Sequence, residues 1–117
     1  MRERSFTGDE LVQVLATLAN PHRLRVVAAL SRQRNYVSQL ARELGISRAL
    51  LQAHLRKLEA VGLVEAQLEF SSDGKAMKFY EVMPFVLHLT PESITQAVPN
   101  PGSDDAVQQD GQKGSLQ

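Results

Sequence analysis

The segment from Val37 to Val64, VSQLARELGISRALLQAHLRKLEAVGLV, constrains the fold more than any other part of the chain, because it holds two helical repeats separated by one glycine. Val37, Leu40, Ala41 and Leu44 recur at helical spacing, and Gly45 then supplies the left-handed conformation that ends a helix without steric cost. Ser47 is placed to cap the next helix, which is expected to run from there to about Val61. Within it Leu51, Leu55 and Leu58 form one narrow apolar stripe. With Leu51 as the buried direction, steps of about 100° per residue place Ala49, Gln52, Ala53 and Arg56 on the opposite side, with Arg48 at the exposed N-terminal edge. Small side chains, an amide and guanidinium groups suit close approach to base edges and phosphates. The pair is therefore expected to be a helix-turn-helix whose second helix enters a DNA major groove.

Charge supports this placement even though the chain is formally neutral. Between Asn20 and Gly62 the cations are Arg23, Arg25, Arg32, Arg34, Arg42, Arg48, Arg56 and Lys57, against Glu43 and Glu59 alone, a surplus of about +6. The balancing acids lie toward the two ends and in the segment after Gly62. With 117 residues, one domain over 1–98 is expected, and the Pro-, Gly-, Ser- and Asp-rich stretch 99–117 reads as a disordered tail. There is no cysteine, so disulfides, thiolate metal sites and cysteine nucleophiles are excluded. No apolar run approaches the ~20 residues of a membrane span, and the opening MRERSFTGDE lacks a signal-peptide core, so a cytoplasmic location is expected.

Along the rest of the chain, Asp9 and Glu10 open a helix to about Ala19, with Leu11, Leu15 and Leu18 on one face and Val12, Ala16 and Ala19 beside them. That stripe is wide enough to serve a second subunit or to lie under the chain's own fold, and Leu11, Leu15 and Leu18 are the candidates for a homodimer contact. Asn20-Pro21 starts another helix, carrying Leu24, Val27, Ala28 and Leu30, and Arg32 to Asn35 are expected to be a short polar connection. After Gly62 the period changes. Val64, Ala66, Leu68 and Phe70 alternate with Glu65, Gln67 and Glu69, Asp73-Gly74 marks a hairpin turn, and a returning strand carries Met77, Phe79, Tyr80 and Val82. Such a hairpin is either an ordinary solvated turn or a wing that offers Lys75 and Lys78 to the phosphate backbone or the minor groove. Phe85 to Leu89 reads equally as an edge strand or an extended segment, and Thr90-Pro91-Glu92 opens a short helix to about Val98.

These residues resemble the ArsR-type winged helix-turn-helix repressors. LANPHRLRVVAAL at Leu18 to Leu30 is similar to that family's opening "LADPTRLRIL", ISRALLQAHLRKLEAVGLVE at Ile46 to Glu65 to its "VSQSTVSRHLKVLREAGLVE", and GKAMKFYEV at Gly74 to Val82 to its Tyr-containing wing strand. The resemblance covers roughly Glu10 to Val82. It implies a mainly α fold with a small β-hairpin wing, and DNA contacts at Arg48, Ala49, Gln52 and Ala53, with phosphate contact from Arg56 or Lys57. Where the family carries Ser and Thr, this chain has Ala49 and Leu50, which favours apolar contact with a thymine methyl over hydrogen bonding. Without cysteine the thiolate metal-sensing of many relatives cannot operate. The segment after the wing, with Pro84 and a short helix, departs from the long last helix of typical members.

The candidate DNA-contact set is thus Ser47, Arg48, Ala49, Gln52, Ala53, Arg56, Lys57, Lys75 and Lys78, the expected partners being double-stranded operator DNA and a second copy of the chain. His22, His54 and His88 form no i, i+4 pair with one another or with a carboxylate on their own helices, so no metal or other cofactor is expected. No nucleophile elbow, phosphate-cradling glycine loop or carboxylate–histidine constellation points to an enzyme. The alternative is a winged-helix protein–protein interaction module without specific DNA binding; steep loss of duplex binding with salt separates the two. Nothing in the sequence identifies an effector.

Overall fold

The computed structural model describes residues 6–98; the expected tail 99–117 lies outside them. Five helices and three strands follow in order: α1 (Gly8–Leu18), α2 (Pro21–Arg32), β1 (Asn35–Tyr36), α3 (Val37–Leu44), α4 (Arg48–Ala60), β2 (Val64–Phe70), β3 (Ala76–Val82) and α5 (Pro91–Ala97). The strands form one antiparallel sheet in the order β1-β3-β2.

Helix starts are set by side chains that satisfy otherwise unpaired backbone N–H groups. Thr7 and Glu10 close a reciprocal capping box on α1. Asn20 Oδ1 accepts from the backbone N–H of His22 and Arg23 at 2.9 and 3.2 Å, with Pro21 in the first turn of α2. Ser47 Oγ accepts from Leu50 N–H at 3.0 Å and opens α4. Between α3 and α4, Gly45 takes φ +70°, and its N–H and that of Ile46 both return to the Ala41 carbonyl. That left-handed residue sets the angle between the two helices of the motif.

The core joins helices to sheet through Val14, Val26, Ala29, Leu30, Leu40, Ala41, Leu51, Leu55, Leu58, Leu63, Val64 and Tyr80. The α4 stripe falls where the spacing placed it: Leu51, Leu55 and Leu58 are fully buried. Two other helices present different faces from those expected. In α1 the buried residues are Leu11, Val14 and Thr17, leaving Leu15 and Val12 exposed. In α2 they are Val26, Ala29 and Leu30, while Leu24 and Ala28 face solvent. Both helices are apolar over more than half their circumference, so packing against α4, which both contact, chooses the inward side, not local period. The connection expected at Arg32 to Asn35 ends in β1, where Asn35 and Tyr36 pair with Tyr80 and Phe79. Phe85 to Leu89 forms no strand and lies outside the sheet, with Phe85 and Leu87 packed on the core. Capped by Thr90, α5 then packs on α1; a Cβ added at Gly8 would lie 2.6 Å from the Ala97 carbonyl oxygen.

Candidate nucleic-acid interface

Burial of the leucine stripe turns the rest of α4 outward. Ser47, Arg48, Ala49, Gln52, Arg56 and Lys57 are exposed and Ala53 is half-buried. Neither acid nor ion pair engages Arg48, Arg56 or Lys57 among the described residues, and the first carboxylate along this helix is Glu59, in its last turn. The outer side of α4 therefore presents the Gln52 amide, Ala49, the half-buried Ala53 and the cations Arg48, Arg56 and Lys57, together with the partly exposed Leu50. A helix of this width and composition fits the major groove, where a Gln amide can pair with the adenine edge and an Arg with guanine.

The fold spends part of the basic segment internally. Arg25 Nη2 donates to the Leu44 carbonyl at 3.0 Å, tying α2 to the C-terminal end of α3, where a cation is favoured by the helix dipole. Arg34 forms a forked ion pair with Glu69 of the wing and lies 4.6 Å from the centre of the Phe79 ring. The Arg34 guanidinium holds the Glu69 carboxyl below its ordinary range. Arg23 donates through Nε to His54 Nδ1 at 3.2 Å and through Nη1 to the Thr17 carbonyl at 3.1 Å, bridging α1, α2 and α4. Arg32, Arg42, Arg48, Arg56 and Lys57 remain exposed.

His54 is the buried polar residue of α4, and its ring stacks on that of His22 with centroids 5.5 Å apart and planes at 28°. Because Arg23 Nε–H can only donate, His54 Nδ1 must carry the lone pair, which assigns the proton to Nε2. Burial first, then the Arg23 and His22 charges, push the His54 pKa below its ordinary value. Stacked rings direct their in-plane lone pairs side by side rather than at a common point, and among the described residues no group of three or more potential ligands could hold a metal ion.

The wing is β2, β3 and the loop between them. Gly74 at φ +86° completes a turn in which its N–H bonds to the Ser71 carbonyl, and Ser71 N–H bonds to that of Lys75. Asp73 is held in the loop by the Ser71 hydroxyl and the Lys75 N–H, and the Ser71 hydrogen bond lowers its pKa. Lys75 is exposed at the tip; Lys78, also exposed, leans over the Tyr80 ring at 5.6 Å. Of the dimer candidates, Leu11 is buried within the protomer and Leu18 packs on its core, so Leu15 alone lies on an open surface, beside Val12. Ile94 and Val98, on and just beyond the packed α5, are also exposed, as are Val86 and Leu89. No residue of α5 stood among the named dimer candidates, because the sequence does not say what that helix packs on.

Comparison with known proteins points one way. The sequence pattern of the arsR family of bacterial regulatory proteins matches residues 20–66, which hold α2, β1, α3, α4 and the start of β2. An uncharacterized HTH-type transcriptional regulator of Methanocaldococcus jannaschii is 33% identical over 91 residues, covering 78% of this chain and 95% of that protein. Among solved structures, the homodimeric winged helix-turn-helix DNA-binding domain of a possible ArsR-family transcriptional regulator from Mycobacterium bovis superposes with a TM-score of 0.57 at 28% identity, covering 63% of this chain. The match takes in 64% of the Mycobacterium chain, just under two thirds of its length. An ArsR-like transcriptional regulator from Rhodococcus gives a TM-score of 0.56 at 31% identity over 64% of this chain and 66% of that one.

Proposed function

The chain belongs to the arsR family of winged helix-turn-helix transcriptional regulators, and from that premise we propose that it is a homodimeric repressor that reads a near-palindromic operator with α4. Its relatives are regulators rather than enzymes, so the chemistry to account for is recognition. The observation that carries the proposal is the exposed, acid-free front of α4 opposite a fully buried leucine stripe. Arg48 and Gln52 read bases, Ala49 and Ala53 allow close approach, and Ser47, Arg56 and Lys57 contact phosphates. Lys75 and Lys78 hold the flanking backbone from the wing.

The exposed apolar side chains of Val12 and Leu15 on α1, Ile94 on α5 and Val98 just beyond it support dimerisation, α1 and α5 packing on each other. Two α4 helices in such a dimer would meet successive major grooves about 34–36 Å apart. Bound there, the protein represses by occupying the operator.

Selection of fragments from a random duplex pool, followed by titration on the selected and a scrambled duplex, tests the reading. Arg48→Ala and Gln52→Ala are each expected to cost ~1–3 kcal/mol on the selected duplex and little on the scrambled one. Equal losses on both duplexes would remove base readout by α4. Binding that neither prefers a sequence nor weakens with salt would favour the protein-interaction module instead.

A further inference from the structure

Alternation along the wing sorts its side chains by chemistry. On one face Leu68 lies opposite Lys78 and Phe70 opposite Ala76; on the other Glu65 lies opposite Glu81 and Glu69 opposite Met77. All carboxylates of the two strands thus sit on the second face. The first face starts at the body, where Val64 and Tyr80 are buried, and continues past the helices into solvent. There Leu68 is 64% and Phe70 72% exposed, more than any other large apolar side chain among the described residues.

We propose that this face is an apolar wedge for the DNA minor groove, with Phe70 pressed against a base step, Leu68 lining the groove behind it, and Lys75 and Lys78 on the flanking phosphates. The inference rests on operator reading by α4 and adds what the wing does there. Charge complementarity selects the occupant. The face bears Lys78 and no carboxylate, Lys75 stands at the tip beside it, and Asp73, the acid of the tip, is hydrogen-bonded within the loop by Ser71 and the Lys75 N–H. An apolar surface with Lys75 and Lys78 at its border, and its tip carboxylate engaged in the loop, fits a polyanion with an apolar stack inside it better than it fits a mixed-charge protein surface. Aromatic and aliphatic wedges of this kind unstack a step and bend the duplex. The step beneath Phe70 is therefore expected to be a flexible pyrimidine–purine one, and specificity extends to base pairs that α4 never touches.

The test uses the full chain and its selected operator, with 2-aminopurine in place of single adenines along the flank reached by the wing. Binding should raise fluorescence at one step. Phe70→Ala and Phe70→Lys should abolish that rise and weaken operator binding roughly tenfold to a hundredfold, the value of burying one such ring, while Phe70→Trp preserves both. The Lys variant separates a wedge from simple charge attraction, which added charge would strengthen. Because Phe70 is exposed, thermal melts of the variants should match the parent. If Phe70→Ala binds like the parent while Gln52→Ala loses operator preference, the wedge is overturned and α4 reading stands. If Phe70→Ala lowers the sedimentation mass without altering fluorescence, the face joins copies of the chain and the wedge is again overturned. Absence of any operator preference in the parent would fail both readings together.

Discussion

Leu50 and Leu51 are neighbours on α4, yet one is 41% exposed and the other 0%. Leu51→Ala removes three carbons from a site closed on every side, worth about 2.4 kcal/mol at roughly 0.8 kcal/mol per carbon. The cavity left behind raises the expected cost to ~3–5 kcal/mol. A domain of this size has ~5–14 kcal/mol in total, so the substitution removes a large share of it. Urea unfolding followed by far-ultraviolet circular dichroism reads this directly. With an m-value of about 1–1.5 kcal/mol per M, the midpoint should fall by ~2–5 M. Leu50→Ala should cost under ~1 kcal/mol, because much of that side chain is in water in both states. Protomer concentration must be equal in all samples, since the apparent stability of the proposed dimer would depend on it. Equal shifts for the two variants would refute the orientation of α4, and with it the identity of the outward face.

Other consequences are as direct. Gly45→Ala should cost ~1–2 kcal/mol in the same urea assay through its positive φ alone, because a Cβ there meets nothing within 4 Å; a larger loss would mean the space is not open. His54 is held neutral in the fold, with a pKa below its ordinary 6.5, facing Arg23 and His22 of α2 and, through Arg23, the Thr17 carbonyl of α1. The unfolded chain binds that proton first, so stability is full above about pH 6.5 and declines as pH falls toward the folded-state pKa; His54→Gln should flatten the decline in urea midpoint from pH 7 to 5, and identical slopes would exclude the histidine as its source. Leu15→Asp should shift sedimentation toward monomer while leaving helix content intact, whereas an unchanged mass would move the dimer surface away from α1. Arg56→Gln should reduce the log–log salt slope of operator binding by about 0.9, and Arg25→Gln, which ties α2 to α3, should leave it unchanged; the reverse order would misassign both.

What the sequence made legible was whatever depends on local period and local capping. The α4 stripe, the Ser47 and Asn20 caps, the Gly45 turn and the alternation of β2 all follow from residues within a few positions of each other. β1 was not legible because two residues have no period; it exists only because Tyr80 and Phe79, far along the chain, supply the partner strand. The inward faces of α1 and α2 were legible only in part, for a related reason. Val14, Val26 and Ala29 are apolar residues among other apolar residues, and only the neighbouring helices decide which are hidden. On the wing the pattern was read correctly, but it could not say where the body stops covering it, so the exposure of Leu68 and Phe70 appears only in three dimensions.

Charge illustrates the same division between what is local and what the fold decides. Counted along the chain, the segment from Asn20 to Gly62 carries eight cations, and formal neutrality of the whole gives no hint of how they are used. Folded, three of them become struts: Arg23 joins α1, α2 and α4 through Thr17 and His54, Arg25 joins α2 to α3, and Arg34 fastens the start of β1 to the wing through Glu69. Two of those struts brace the helix-turn-helix, and the third neutralises a carboxylate on the wing face that carries the acids. The cations left over are exposed, and Arg48, Arg56 and Lys57 lie on the helix whose leucines are sealed inside. A neutral chain can therefore present a cationic surface to a phosphate backbone, because its acids are gathered on the far face of the wing and toward the two ends rather than spread among the arginines.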